Sequence, residues 1–151
     1  MTIHQWLEAY GESHKNSLNK TIHWICVPII FFSIVAMFSL IPVPTPFGLN
    51  LNLAELSLIF ASLFYIRLSW KLALGAIVFA GICLGISLSL QSNGYPVFSI
   101  ALSLFIAAWI GQFYGHHVEG KKPSFLKDIQ FLLIGPIWLL ADFYKKWKIN
   151  Y

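Results

Sequence analysis

Between Lys20 and Glu55 the chain carries no Asp, Glu, Lys or Arg. Such a stretch is poorly suited to the surface of a soluble domain. It suits a helix crossing a hydrocarbon core of ~30 Å at a rise of ~1.5 Å per residue. The rest of the chain agrees: 58% of its 151 residues are hydrophobic and 11% are charged, where soluble domains carry about 25% charged residues. Lipid is the solvent this composition fits, with room for one bundle and no second domain. The polar, histidine-bearing segment ahead of the first apolar run lacks a small-residue cleavage site, so it is not read as a removable signal peptide.

Apolar residues at Ile3, Trp6, Leu7 and Tyr10 follow the i, i+3, i+4, i+7 spacing of an amphipathic helix, predicted over 2–14 and lying in the membrane interface. Spans are expected at about 21–41, 53–70, 72–90 and 95–114. Asn19 is the expected N-cap of the first, and Pro42-Val-Pro-Thr-Pro46 ends it, because proline blocks helix continuation. The last apolar run, Ile129 to Leu140, is too short to span and contains Gly135-Pro136. Asp128, Asp142, Lys145, Lys146 and Lys148 at its ends make it an interfacial or re-entrant helix over about 125–147. The expected fold is all-α: an integral membrane helical bundle of about four transmembrane helices, with interfacial helices at both ends. Gly81-Ile-Cys-Leu-Gly85 reads as a close-packing motif, Pro28 and Pro136 as kinks, and Trp70, Trp109, Trp138 and Trp147 as belt or packing aromatics. Cys26 and Cys83, both in apolar runs, read as small buried residues and not as a disulfide or metal pair.

Loop charges orient this bundle. Lys15 and Lys20 precede the first span, Arg67 and Lys71 lie at the second hairpin, and Lys121, Lys122 and Lys127 follow the fourth span. The 42–52 and 91–95 loops have no Lys or Arg. This alternation predicts cytoplasmic termini. The net charge of +4, with lysines beside apolar segments, fits anionic lipid headgroups rather than nucleic acid. The short chain points to a bacterial inner membrane, with the endoplasmic reticulum as the eukaryotic counterpart.

The same topology brings four of the five histidines to one face: His14 and His23 at the start of the first span, His116 and His117 at the end of the fourth. On one straight helix His14 and His23 would face opposite ways, ~13 Å apart along the axis. They can share a metal only if the chain breaks between them, and Lys15-Asn-Ser-Leu-Asn19 is the place for it. Glu119 shares a helical face with His116 at i, i+3, whereas His117 is turned ~100° away. Imidazoles with carboxylates suit iron, zinc, copper or nickel, and oxygen chemistry at an open position favours iron. Tyr10, Asn19 and Gln112 are polar groups near this rim that can orient ligands or a substrate headgroup. Lys121 and Lys122 can draw in an anion or serve only as solvated charge, and His4 reads as interfacial.

At these residues a resemblance emerges. Tyr10-Gly-Glu-Ser-His14, Asn16, Asn19, Ile22-His23 and Val27-Pro28 resemble the N-terminal motif of the 2-hydroxy fatty acid dioxygenase family. Trp109-Ile-Gly-Gln-Phe-Tyr-Gly115-His116, with Glu119 and Lys122-Pro123, is similar to its second motif. The family pattern often sets its glutamate four residues after the motif histidine; here the spacing is three and a second histidine follows directly. The resemblance implies Fe(II)-dependent alpha-oxidation, in which a 2-hydroxy fatty acid and O₂ give the acid one carbon shorter. It implies His14, His23 and His116 as catalytic ligands, with His117 or Glu119 completing or supporting the shell. Tyr10, Asn19, Gln112, Glu119 and Lys122 would stand behind the ligands or meet the substrate.

Two other readings fit the bare residues. Paired histidines on separate spans can ligate haem axially, as in an electron-transfer protein. A non-enzymatic membrane module, such as a small transporter or assembly factor, is the other, although no internal repeat supports a transporter.

Overall fold

The helices of this chain begin where a side chain can satisfy free backbone donors. The computed structural model describes residues 2–121 and 131–151. Thr2 opens α1 (Ile3–Gly11) with a reciprocal cap: its hydroxyl accepts from the Gln5 N–H, while the Gln5 side chain accepts from the Thr2 N–H. Asn16 caps α2 (Ser17–Ser39), accepting from the N–H groups of Leu18 and Asn19. The expected cap, Asn19, therefore lies inside the first turn, and α2 starts earlier than the apolar run suggested. Beyond α2 a short ribbon pairs β1 (Pro42–Val43) with β2 (Leu51–Asn52). Asn52 and Glu55 cap α3 (Leu53–Leu68) reciprocally. Ser69 closes α3 and caps α4 (Trp70–Ser92). After the turn at Gly94 comes α5 (Val97–Glu119), ended by Gly120 at a φ of 75°, a conformation glycine adopts at little cost. The last helix is α6 (Ile134–Lys146).

Helices α2, α4 and α5 are long and apolar enough to cross a membrane. Helix α3 has 16 residues, ~24 Å of helix against a ~30 Å core. Of the four spans expected, the second is thus the short one, and it packs along α4 and α2. Apolar side chains such as Ile82 and Ile86 on α4 and Phe98, Ile106 and Ile110 on α5 are exposed, as a lipid-facing surface requires.

The most extensive helix pair is α2 with α5, and two glycines bring it close. A Cβ at Gly111 would lie 2.7 Å from Cys26 Sγ, and one at Gly115 would collide with Asn19 Oδ1. This Gly-x-x-x-Gly spacing is the close-packing motif of the fold. The pattern expected to play that part, Gly81 to Gly85, meets nothing within 4 Å at either glycine among the described residues.

Helix α1 buries Ile3, Leu7 and Tyr10. Its apolar face is covered by protein: Ile3 and Leu7 join Tyr65, Leu72, Ala76, Ile137 and Ala141 in one core cluster. Pro136 sits in the first turn of α6, where no intrahelical N–H is lost, so it starts that helix rather than kinking it. Tyr65 and Tyr144 tie α6 to the α3–α4 hairpin, donating to the carbonyls of Leu133 and Lys71 at 2.7 and 2.9 Å. The α3–α4 turn, α1 and α6 thus gather at the end of the bundle where α2 begins and α5 ends.

Candidate metal centre

Three chain segments converge at that end. His14 follows α1 in the segment 12–16, His23 lies in the second turn of α2, and His116 lies in the last turn of α5. Ending α1 at Gly11 and restarting at Ser17 provides the break that His14 and His23 need to meet. All three side chains are buried, at 3%, 1% and 5% exposure. The ring centroids are 4.1 Å apart for His14 and His23, 5.2 Å for His23 and His116, and 5.7 Å for His14 and His116. One nitrogen from each lies within 4.8 Å of the other two, so the group could hold a metal ion. Metal–imidazole bonds of about 2.0–2.1 Å hold two nitrogens of one ion at most ~4.2 Å apart, close to the spacing seen.

Backbone carbonyls set the tautomers. His14 Nδ1 donates to the Tyr10 carbonyl at 2.6 Å, and His23 Nδ1 donates to the Asn19 carbonyl at 2.9 Å. A carbonyl only accepts, so in each neutral ring Nδ1 carries the hydrogen and Nε2 offers its lone pair. His14 Nε2 is buried with no hydrogen-bond partner among the described residues. Such a group costs about 1–3 kcal/mol if left unmet, and a metal ion would meet it. Burial pushes the His14 imidazole down to about 4, with the neighbouring His116 adding to the effect. The ring is therefore neutral near pH 7, as a ligand must be.

Glu119 does not join the histidines. Its Oε1 accepts from the Lys15 N–H at 2.9 Å, and its Oε2 accepts from the Asn16 N–H at 2.9 Å and from Asn19 Nδ2 at 3.1 Å. Asn19 Nδ2 also donates to the Ser13 carbonyl at 3.1 Å. Glu119 is thus a clamp that pins the segment carrying His14 and the start of α2 to the end of α5. His117 is exposed and falls outside the group of three. Lys122 lies outside the described residues. Lys121 donates to the Glu12 carbonyl at 2.7 Å, a second tie on the same segment. His4 is exposed, with its ring 6.2 Å from that of Tyr151.

A cavity of about 40 Å³ opens beside His23 and His116, bounded also by Tyr10, Val27, Gln112 and Gly135. It has room for an ion's small ligands. Gln112 lies one turn before His116 and is buried, with its Oε1 lacking a partner among the described residues. Tyr10 stacks on His14 with centroids 4.3 Å apart and planes 8° from parallel. Trp138 packs against both rings at 5.4 Å. Of the two roles expected for Trp138, belt or packing, it takes the packing one. The helix start at Ile134, with Pro136 in the first turn, sets Trp138 in the second turn of α6 beside the site.

The fold and site together define a class: helical membrane proteins with a buried three-histidine centre near one end of the bundle. Residues 1–147 match the family described as 2-hydroxy-palmitic acid dioxygenase Mpo1-like, and the chain belongs to that family. It is 30% identical over 148 residues to the 2-hydroxy-palmitic acid dioxygenase MPO1 of Saccharomyces cerevisiae, covering 95% of this chain and 80% of the yeast protein. No solved structure matches it.

Proposed function

We propose that this protein is an Fe(II)-dependent dioxygenase that converts a 2-hydroxy fatty acid and O₂ to the acid one carbon shorter, with the carboxyl carbon released as CO₂ together with one water. The observation that carries this reading is the trio of buried histidines that offer one nitrogen each within 4.8 Å of the other two, in a chain whose yeast relative is named for that activity. His14, His23 and His116 would hold the ion. Iron suits imidazole ligands and, when bound, supplies the activation of dioxygen beside a chelating hydroxy acid. The protein's part is to hold the His14 and His23 rings with their Nε2 lone pairs free for the ion, through the Tyr10 and Asn19 carbonyls. Gln112 Oε1, buried at the cavity wall, can accept a hydrogen bond from the substrate's 2-hydroxyl. Tyr10, Trp138 and Trp109 shield the centre from water.

The centre is assigned to the cytoplasmic face of the membrane. Lys15, Lys20, Arg67, Lys71 and Lys121 all lie at the histidine end of the bundle, and the opposite loops, 42–52 and 93–96, carry no Lys or Arg. A bacterial inner membrane is the proposed location.

The test is turnover. Protein purified anaerobically and loaded with Fe(II) should convert 2-hydroxypalmitate to pentadecanoate on admission of O₂, with His23→Ala inactive. Iron-loaded protein that leaves 2-hydroxypalmitate unchanged would contradict the activity.

A further inference from the structure

A long-chain acid cannot fit wholly beside the histidines. The cavity there is about 40 Å³, and a single water occupies about 10–15 Å³ on the same measure. A carboxyl head and its neighbouring carbon fill it, and a hydrocarbon tail must leave. Among the described residues, two openings adjoin the site. One is a polar cleft beside His14 bordered by Glu8, Glu12, Lys15, Lys20, Asp142 and Lys145, whose charges repel a hydrocarbon. The other is a groove of about 270 Å³ between α2, α4 and α6, with no polar surface exposed in it. Its walls are Trp24, Val27, Pro28, Phe79, Leu139 and Phe143, among others.

Val27 is common to the histidine cavity and the groove. Across from it, Gly135 borders the cavity and Pro136 the groove. A Cβ at Gly135 would come within 3.2 Å of Val27 Cγ1 and 3.3 Å of the Tyr10 hydroxyl. Among the described residues, Val27 packed against Gly135 therefore stands between the two spaces. We propose that the Trp24–Phe79–Leu139–Phe143 groove is the acyl-chain subsite, with Val27 as the gate where the chain enters the histidine cavity. This assignment rests on the proposed hydroxy-acid activity. A bulk phospholipid can lay a tail in the groove, but its headgroup is too large for the cavity behind Val27. Because the bilayer is itself apolar, the groove gains little from burial and selects by packing. Its signature is therefore chain-length preference.

The experiment pairs photolabelling with substrate competition. A 2-hydroxy fatty acid carrying a terminal diazirine is irradiated with the metal-free wild-type protein in nanodiscs, and labelled peptides are mapped by mass spectrometry. Labels at α2, α4 and α6 around Phe79, Leu139 and Phe143, suppressed by excess 2-hydroxypalmitate, support the subsite. Labels confined to the outer face of α5, or a pattern that 2-hydroxypalmitate leaves unchanged, overturn it. In turnover, Leu139→Trp should lower kcat/KM for 2-hydroxypalmitate about tenfold or more relative to 2-hydroxyoctanoate, and Phe143→Ala should raise the preference for longer chains. Equal effects on both substrates overturn the groove while leaving the activity standing. Competed labelling in the groove without turnover of either acid overturns the activity and not the groove. If Leu139→Trp fails to fold, wild-type labelling and Phe143→Ala still decide the matter.

Discussion

Glu119→Ala separates a ligand from a clamp. The carboxylate accepts three N–H groups, from Lys15, Asn16 and Asn19, at 2.9, 2.9 and 3.1 Å. A net hydrogen bond contributes about 0.5–1.5 kcal/mol, and more to a charged acceptor when buried. Glu119 is half-buried, so the lower part of that range applies, roughly 0.5–1 kcal/mol per bond and about 1.5–3 kcal/mol for the three together. That energy holds the His14 segment and the start of α2 against α5. Its loss should weaken metal binding about 10- to 100-fold, at 1.4 kcal/mol per tenfold. The assay is anaerobic competition for Fe(II) with a chromogenic chelator. One iron per chain should still bind at saturation, because all three imidazoles remain. Glu119→Gln, which keeps one acceptor oxygen, should fall between the variant and the wild type. Failure of Glu119→Ala to bind iron at saturation would make Glu119 a ligand. An affinity within twofold of wild type would show that the three bonds do not position the site.

The other predictions concern different parts of the structure. His117→Ala should leave iron content and turnover within about twofold of wild type, because the side chain is exposed and outside the group of three; lost iron would contradict this placement. Gly111→Ala should destabilise the protein by about 1–3 kcal/mol through overpacking against Cys26 Sγ, read as a lower thermal midpoint, and Cys26→Ala in the same chain should recover much of it. Acidification should destabilise the metal-free protein. His14 titrates near 4 when folded and near 6.5 when unfolded, so the unfolded state takes the proton first as pH falls. The folded state should lose on the order of 3 kcal/mol between about pH 6.5 and 4, at 1.36 kcal/mol per pKa unit. A His14→Gln variant should lack that part of the slope in denaturant titrations at successive pH values, and an unchanged slope would refute the assignment.

Much of this architecture was legible in the chain. The charge-free run after Lys20 and the lysine alternation sufficed to put His14, His23 and His116 at one end, because membrane helices leave few topologies to choose from. The geometric need for a break between His14 and His23 followed from helical pitch alone, and the structure puts it at 12–16. What local pattern could not reveal were the pairings across the chain. Glu119 meets Lys15 and Asn16 across more than a hundred residues, and nothing at either position signals the partner. Likewise the apolar spacing of α1 marks a face to be covered without naming what covers it, and α6 and the α3–α4 hairpin do so. The true Gly-x-x-x-Gly contact, Gly111 with Gly115, lay unremarked inside a motif singled out for its histidine. Gly81 and Gly85 carry the same spacing with no close neighbour among the described residues.

The central claim is that His14, His23 and His116 hold one iron ion. Iron per chain, measured by mass spectrometry after anaerobic Fe(II) loading and desalting, tests it most directly across the wild type and the His14→Ala, His23→Ala and His116→Ala variants. The expected result is about one iron in the wild type, less than a tenth of that in each folded variant, and no Soret band. Full iron retention in all three variants, or a wild-type protein that binds no metal, would contradict it.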